Sequence, residues 1–298
     1  MGIRIVPEML FSTFLDAIAK DRERVSNDLQ QITTGQSVNS LSDNPTAAAA
    51  LVQNLSEASS VDQFTRSISS IQGSLETADS ALNSVVSSLT QAISLGTEGA
   101  NGTLMSGARQ TLAAQVNDLQ QEILGLANTT YQGDYVFAGT AVKTQPYVVD
   151  SNSPSGVSYQ GNSSANKVQV GQAQFVPANL PGSTIFNGTG ADVFQALHDL
   201  ASALQNNGDI AGATTEVENA LNNVDLQRTF YGATLDRLNN ASYTLSQEQI
   251  NLSQEQNNLV GADLPTSATN LAQAETTLNA ALAAFGQISQ NNLFSYLK

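Results

Sequence analysis

Apolar residues near both ends of the chain recur at alternating intervals of four and three residues. The N-terminal series is Phe11, Leu15, Ile18, Arg22, Val25, Leu29 and Ile32. The C-terminal series is Leu264, Ala268, Leu271, Glu275, Leu278, Leu282 and Phe285. This spacing is typical of coiled-coil seams, so the two ends can pair with each other and then with further copies. The pattern favours a building block of an assembly over a catalyst.

The same spacing predicts helices over most of the remaining chain. We expect helices over 8–32, 47–95, 106–130, 192–204 and 211–260, and a last one after Asp263. Gly35 suits a left-handed helix end, and Asp263 can cap the last helix. Asn44 followed by Pro45 is a helix start, since proline at the first helical position loses no required N–H.

The middle of the chain has a different composition. Between residues 131 and 190, glycine, proline, asparagine and β-branched residues replace the helical spacing. Short strands are predicted at 135–137, 147–149, 157–159, 168–170 and 175–176, with turn residues between them. This segment is predicted to be a small β-rich insert.

Together these elements predict a mainly α fold: an elongated rod of long antiparallel helices from both ends of the chain, with the insert at the far tip. Three domains are expected. Residues 1–42 and 262–298 would form a terminal coiled-coil domain that becomes ordered on assembly, because its apolar stripes lack a partner in the monomer. Residues 43–130 and 191–261 would form a helical rod, and 131–190 the insert.

Composition narrows the function classes. The formal net charge is -15, from 11 basic and 26 acidic residues, and this repels nucleic-acid phosphates. Charged residues make up only 12% of the chain, so the polar faces of its helices are largely amides and hydroxyls. Such faces can pack against other subunits without desolvating ions. The first residues lack the apolar region and cleavage site of a signal peptide, and no stretch is apolar enough to span a bilayer.

Catalytic chemistry has little support. With no cysteine, thiolate catalysis, disulfides and cysteine-ligated zinc are excluded, and a single histidine, His198, excludes a zinc site built on two or three histidines. The glycine run from Gly96 to Gly102 lacks the lysine of a phosphate-binding loop and indicates a helix break. We therefore expect no enzyme activity, no cofactor and no metal.

Three blocks resemble the flagellin superfamily, and within it the hook–filament junction proteins (hook-associated protein type 3). The first is Leu29-Gln30-Gln31-Ile32-Thr33-Thr34-Gly35 with Ser42-Asp43-Asn44-Pro45. The second and most specific comprises Gly102-Thr103-Leu104, Leu126-Ala127-Asn128-Thr129-Thr130, Tyr135-Val136-Phe137-Ala138-Gly139-Thr140 and Pro146-Tyr147. The third is the alanine- and leucine-rich stretch from Leu271 to Leu297.

The resemblance implies an extracellular structural subunit of the bacterial flagellum, forming a ring between hook and filament by axial packing of terminal helices. The implied partners are further copies of the chain, another hook-associated protein, flagellin or another filament-side junction subunit, and an export chaperone. Export would need no cleaved signal. The expected subunit-interface residues are Phe11, Leu15, Ile18, Val25, Leu29, Ile32, Leu271, Leu278, Leu282, Phe285, Ile288, Leu293 and Leu297.

Departures from the family pattern leave alternatives open. Pro45 and the Phe137-Ala138-Gly139 segment separate junction proteins from filament flagellins, whereas Gln36-Ser37 stands where the junction family has a basic pair. Asn44 likewise replaces an aspartate, so any role of those charges in subunit contacts is not carried over. The alternatives are a filament flagellin and, from another class, a secreted coiled-coil effector or adhesin.

Overall fold

A computed structural model describes the backbone of residues 7–295 and the side chains of residues 12–287, and the fold is mainly α. The helices in this range, whose positions agree with the predicted ones to within a few residues, are α1 (Pro7–Thr34), α2 (Pro45–Gly99), α3 (Ser106–Ala127), α4 (Gly182–Phe186), α5 (Val193–Asn206), α6 (Ile210–Val260) and α7 (Leu264–Ser295). Helix α4 is too short to show a periodic pattern and was not predicted.

Local capping contacts explain where the helices of the chain ends start and stop. Gly35 has a φ of 69° and its N–H donates to the Gln31 carbonyl, which ends α1. The Asn44 Oδ1 accepts from the Ala47 N–H at 3.1 Å, at the start of α2. Asp263 accepts from the Thr266 N–H at 3.3 Å, at the start of α7. The structure therefore confirms these predicted caps.

Asp43 organises the loop between α1 and α2. Its Oδ2 accepts from the backbone N–H groups of Asn39 and Ser40 at 2.9 and 2.8 Å, and its Oδ1 accepts from the Ser40 hydroxyl at 2.8 Å. These hydrogen bonds, the Ser40 hydroxyl foremost, hold the pKa of Asp43 below its ordinary value because they favour the charged carboxylate.

Acid is therefore expected to open this loop. A lowered folded-state pKa means that the stabilisation is present above the ordinary value of about 3.9 and fades as the pH falls from there through the folded-state pKa. Amide NMR signals of Asn39 and Ser40 should shift together in that window. In Asp43→Asn both signals should lose this titration, and an unchanged acid titration in the variant would show that Asp43 is not the responsible group.

By its contacts the chain divides into two compact units. One comprises the two ends of the chain, up to Ser60 and from Glu248, and the other runs from Val61 to Gln247. The three-domain division, in which residues 131–190 stand as a domain of their own, stays a prediction.

The second unit has a continuous hydrophobic core. Apolar stripes of α2, α3, α5 and α6 are buried together in it, represented by Leu82 and Leu89, Val116 and Ile123, Leu197 and Leu200, and Val217 and Val224. The predicted stripes of the three long helices supply most of these residues, so this unit buries their apolar faces within one subunit. Between α6 and α2, the Arg228 Nε donates to the Asp79 Oδ1 at 3.0 Å.

The β-rich segment consists of four antiparallel two-stranded ribbons in the described range. They pair β1 (Thr130–Tyr131) with β2 (Asp134–Tyr135), β3 (Tyr147–Val149) with β4 (Val157–Tyr159), β5 (Lys167–Gly171) with β6 (Gln174–Pro177), and β7 (Asn187–Gly188) with β8 (Ala191–Asp192). Strand β1 and the last ribbon were not predicted, and β2 overlaps the predicted strand 135–137 only at Tyr135, because two-residue strands carry no alternation that a sequence pattern can show.

An aromatic cluster packs the β3–β4 ribbon against α4 and α5. The Tyr147 ring lies 5.0 Å from Tyr159, 5.4 Å from Phe186 and 5.1 Å from Phe194, measured between ring centroids. The predicted strand 135–137 is wrong beyond Tyr135, because the chain turns there and buries Phe137 against Phe186 at 5.4 Å. The Phe137 carbonyl then accepts from the N–H of Gly182 and from the Tyr159 hydroxyl, rather than from the backbone of a neighbouring strand.

Candidate assembly interface

Helices α1 and α7 form an antiparallel pair in the first unit. At one end Gln36 bridges to Gly261, and the Ala262 N–H donates to the Gly35 carbonyl at 3.0 Å. Toward the other end the rings of Phe14 and Phe285 lie 6.1 Å apart. The two ends of the chain are thus paired with each other, as the matching spacing predicted.

The buried seam of this pair is offset from the predicted one. Apart from Gln31 and Gly286, the positions that are buried or half-buried again alternate by four and three residues: Phe14, Ile18, Asp21, Val25, Asp28 and Ile32 on α1, and Ser267, Leu271, Ala274, Leu278, Ala281 and Phe285 on α7. Seven of these twelve seam positions therefore hold aspartate, serine, alanine or phenylalanine rather than a leucine or β-branched residue.

The predicted interface residues accordingly divide into two sets. Ile18, Val25, Ile32, Leu271, Leu278 and Phe285 lie in the seam between α1 and α7. Leu15, Leu29 and Leu282 are 45%, 53% and 39% exposed and lie outside it. Phe11, Ile288, Leu293 and Leu297 lie outside the residues whose side chains the structure describes.

The exposed leucines lie on one side of the pair. Leu15 and Leu29 each follow a seam residue of α1 by one position, as Leu282 does on α7. In an antiparallel pair of right-handed helices, positions with the same offset from the seam lie on the same side. Leu15, Leu29 and Leu282 therefore line one side of the α1–α7 pair, which we call the leucine flank.

Two charged residues, one on each helix, lie on the leucine flank. Counting from the bridge between Gln36 and Gly261 places Leu15 level with Leu282, and Arg22 level with Glu275. Arg22 and Glu275 are both exposed. The flank thus combines apolar positions with one cation and one anion at matched heights, a combination that can fix the register of a further helix.

The opposite side of the pair is polar. Asp21, Asp28, Asn270 and Thr277 line a cavity of about 320 Å³ there, together with Arg24, Gln273 and Ala274. The two aspartates occupy seam positions, so polar carboxylates rather than apolar side chains line this cavity. The contrast between the two sides shows which one exposes apolar surface.

Asn54 is an interior polar residue that the sequence analysis did not single out. Its side chain is 3% exposed, and its Nδ2 donates to the Leu252 carbonyl at 3.1 Å and to the Glu255 Oε2 at 3.3 Å. A buried amide with specific partners fixes the register of the two helices it joins. The sequence could have indicated this residue, because Asn54 is a polar residue in the apolar stripe of α2, seven positions before Val61.

The described residues offer little for catalysis. His198 is exposed on α5, and no group of three potential metal-binding side chains comes together in this part of the chain. Burial raises the phenol pKa values of Tyr147, Tyr159 and Tyr231. Among the helices described, none has both the length and the apolarity to cross a membrane.

Comparison with known protein families gives two matches. The bacterial flagellin N-terminal helical region matches residues 8–142, and the bacterial flagellin C-terminal helical region matches residues 214–297. Together they cover more than two thirds of the chain and include both helices of the α1–α7 pair.

Individual proteins give similar results. The flagellar hook-associated protein 3 of Escherichia coli is 26% identical over 325 residues, covering 99% of this chain and 100% of that protein. A putative flagellar hook-associated protein from Vibrio parahaemolyticus has a similar fold, with a TM-score of 0.68 and 21% identity over 74% of this chain and 100% of that one. The flagellar junction protein FlgL from Legionella pneumophila has a TM-score of 0.60 and 14% identity, covering 71% and 100%.

Proposed function

The chain belongs to the bacterial flagellin family, and we propose that within this family it is the structural subunit that joins the flagellar hook to the filament. Similarity to hook-associated protein 3 of Escherichia coli over the full length of both chains supports this assignment. We assign it no enzymatic role.

The observation that carries the mechanism is the leucine flank. The α1–α7 pair covers its own seam but leaves Leu15, Leu29 and Leu282 partly exposed on one side. Burying a leucine side chain fully is worth about 1.5–3 kcal/mol, so covering these half-exposed side chains in each subunit contributes several kcal/mol. Neighbouring copies of the chain bury these leucines. The paired chain ends thereby form the axial layer of a ring.

The protein is a flagellar component exposed outside the cell. Its neighbours in the assembly are another hook-associated protein on the hook side and flagellin, or another junction subunit, on the filament side. An export chaperone binds the terminal helices before assembly, and export proceeds without cleavage of a signal.

Filament flagellin is the second candidate, because the matching family regions are those of flagellin itself. The two candidates differ in what the purified protein does. A flagellin elongates into long filaments when seeded, whereas a junction subunit binds hook ends and stops.

Deletion of the gene, followed by electron microscopy of the cells, tests the proposal. We expect bare hooks, with filament protein released into the medium. Purified protein added to isolated hooks should then bind their ends as a short cap. Normal filaments in the deletion strain would contradict the junction role, and seeded growth of long filaments from the purified protein would favour flagellin.

A further inference from the structure

The turn between α2 and α3 contains an asparagine–glycine pair whose geometry differs from that of the two other such pairs in the chain. The pairs are Asn101-Gly102, Asn187-Gly188 and Asn207-Gly208. We infer that Asn101 is a site of spontaneous conversion to isoaspartate and aspartate in the folded protein, while Asn187 and Asn207 are protected. This inference goes beyond the junction role and does not depend on it.

The group that attacks at this site, the backbone nitrogen of Gly102, is not engaged in a hydrogen bond to the described residues. In the reaction the backbone nitrogen of Gly102 loses its proton to solvent and bonds to the side-chain carbonyl carbon of Asn101. Among the described residues, nothing accepts a hydrogen bond from the Gly102 N–H. A Cβ added at Gly102 would meet no atom within 4 Å, so water and the five-membered ring both have room.

The carbonyl under attack is polarised by its neighbour. Both the backbone N–H and the hydroxyl of Thr103 donate to the Asn101 Oδ1, at 3.2 and 2.9 Å. They hold the side chain toward the following peptide and stabilise the negative charge that develops on this oxygen as the carbon–nitrogen bond forms. Ammonia then leaves, and a cyclic imide joins the two residues.

Water opens the imide at either carbonyl and gives aspartate or isoaspartate. In isoaspartate the free carboxylate is built on the former backbone carbonyl of Asn101. In the unmodified protein that carbonyl accepts a hydrogen bond from the Arg109 Nη2 at 3.3 Å. The product therefore places a carboxylate beside a guanidinium, and this charge-assisted contact is stronger than the neutral one it replaces.

The two other pairs also receive a donor on the side-chain oxygen, from the Tyr147 hydroxyl at Asn187 and from the Arg109 guanidinium at Asn207, but their glycines are engaged or packed. The Gly208 N–H donates to the Ala203 carbonyl at 2.9 Å, at the end of α5, so its nitrogen is engaged. The Asn187 side chain donates to the Asp192 Oδ2 at 2.8 Å, and a Cβ added at Gly188 would lie 2.9 Å from the Asn223 Nδ2, so there is less room for the ring than at Gly102. Gly188 pairs with Ala191 in the β7–β8 ribbon.

The test is to incubate the purified full-length protein at mildly alkaline pH. Digestion at acidic pH and mass spectrometry that distinguishes isoaspartate then measure conversion at the three asparagines. Conversion at Asn101 should exceed that at Asn187 and Asn207 by roughly tenfold, since at those two sites the glycine nitrogen must first be released from its hydrogen bond or its packing. In urea the three sites should convert at similar rates.

Two variants separate the proposed causes. Gly102→Ala fits the open space and keeps the fold, but its methyl group hinders the attack, so conversion should fall several-fold. Thr103→Val removes one donor and should also slow conversion. Circular dichroism checks that both variants are folded. Equal conversion of the three sites in the folded protein, the same ranking in urea, or unchanged conversion in Gly102→Ala would overturn the assignment.

Discussion

Replacing both Leu15 and Leu282 with glutamate is expected to abolish attachment of the protein to hook ends while leaving the isolated chain folded. Both side chains lie on the leucine flank and are 45% and 39% exposed in the single chain. Surface substitutions of this kind change stability by only about 0.5 kcal/mol. In the ring every subunit loses the apolar contact, about 1 kcal/mol for each half-buried leucine, and must also bury new carboxylates. The expected result is a non-motile strain that produces folded, soluble protein.

A matched control uses the opposite side of the same helix pair. Ala17 and Ala284 are exposed and lie outside the leucine flank, one on each helix. The double change Ala17→Glu and Ala284→Glu adds the same charge, and we expect it to retain attachment to hooks. If both pairs of substitutions abolished attachment equally, or if neither did, the leucine flank would not be the assembly surface. Motility assays and sedimentation with isolated hooks measure both variants.

Replacing Tyr147 with alanine is expected to cause the largest loss of stability in the second unit. The ring is fully buried, and its hydroxyl donates to the Asn187 Oδ1 at 2.8 Å. Its backbone N–H donates to the Asn128 Oδ1 at 3.0 Å, so the residue also positions the start of β3. Truncating a buried aromatic side chain costs about 3–5 kcal/mol of unfolding free energy.

Tyr147→Phe isolates the hydroxyl from the ring. It removes one hydrogen bond and leaves the Asn187 acceptor without that partner, at a cost of about 1 kcal/mol. Urea denaturation followed by circular dichroism measures both variants, since the chain has no tryptophan to report unfolding by fluorescence. A loss for the alanine variant as small as that for the phenylalanine variant would show that the aromatic cluster is not a stability centre.

Much of the secondary structure followed from local features of the sequence. Gly35, Asn44 and Asp263 terminate or start helices through contacts with residues three or four positions away, so no distant information is needed to place them. The aromatic cluster behaved differently. Phe137 was assigned to a strand by its own β-branched and aromatic neighbours, but its carbonyl and ring are held by Gly182 and Phe186, which are remote in sequence.

The amino-acid sequence by itself determined the helices, their caps, the pairing of the two chain ends and the family to which the chain belongs. Only the tertiary structure decided which positions of the two helices are buried in the seam between them. Counting apolar residues selected Leu15, Leu29 and Leu282 as seam positions, whereas the folded pair buries positions occupied by Asp21, Asp28 and Ala274. The physical reason is that the column of Ile18, Val25 and Ile32 belongs to both possible seams, and either neighbouring column can complete it. The choice depends on which column fits the partner helix, and this is a property of the pair rather than of either sequence.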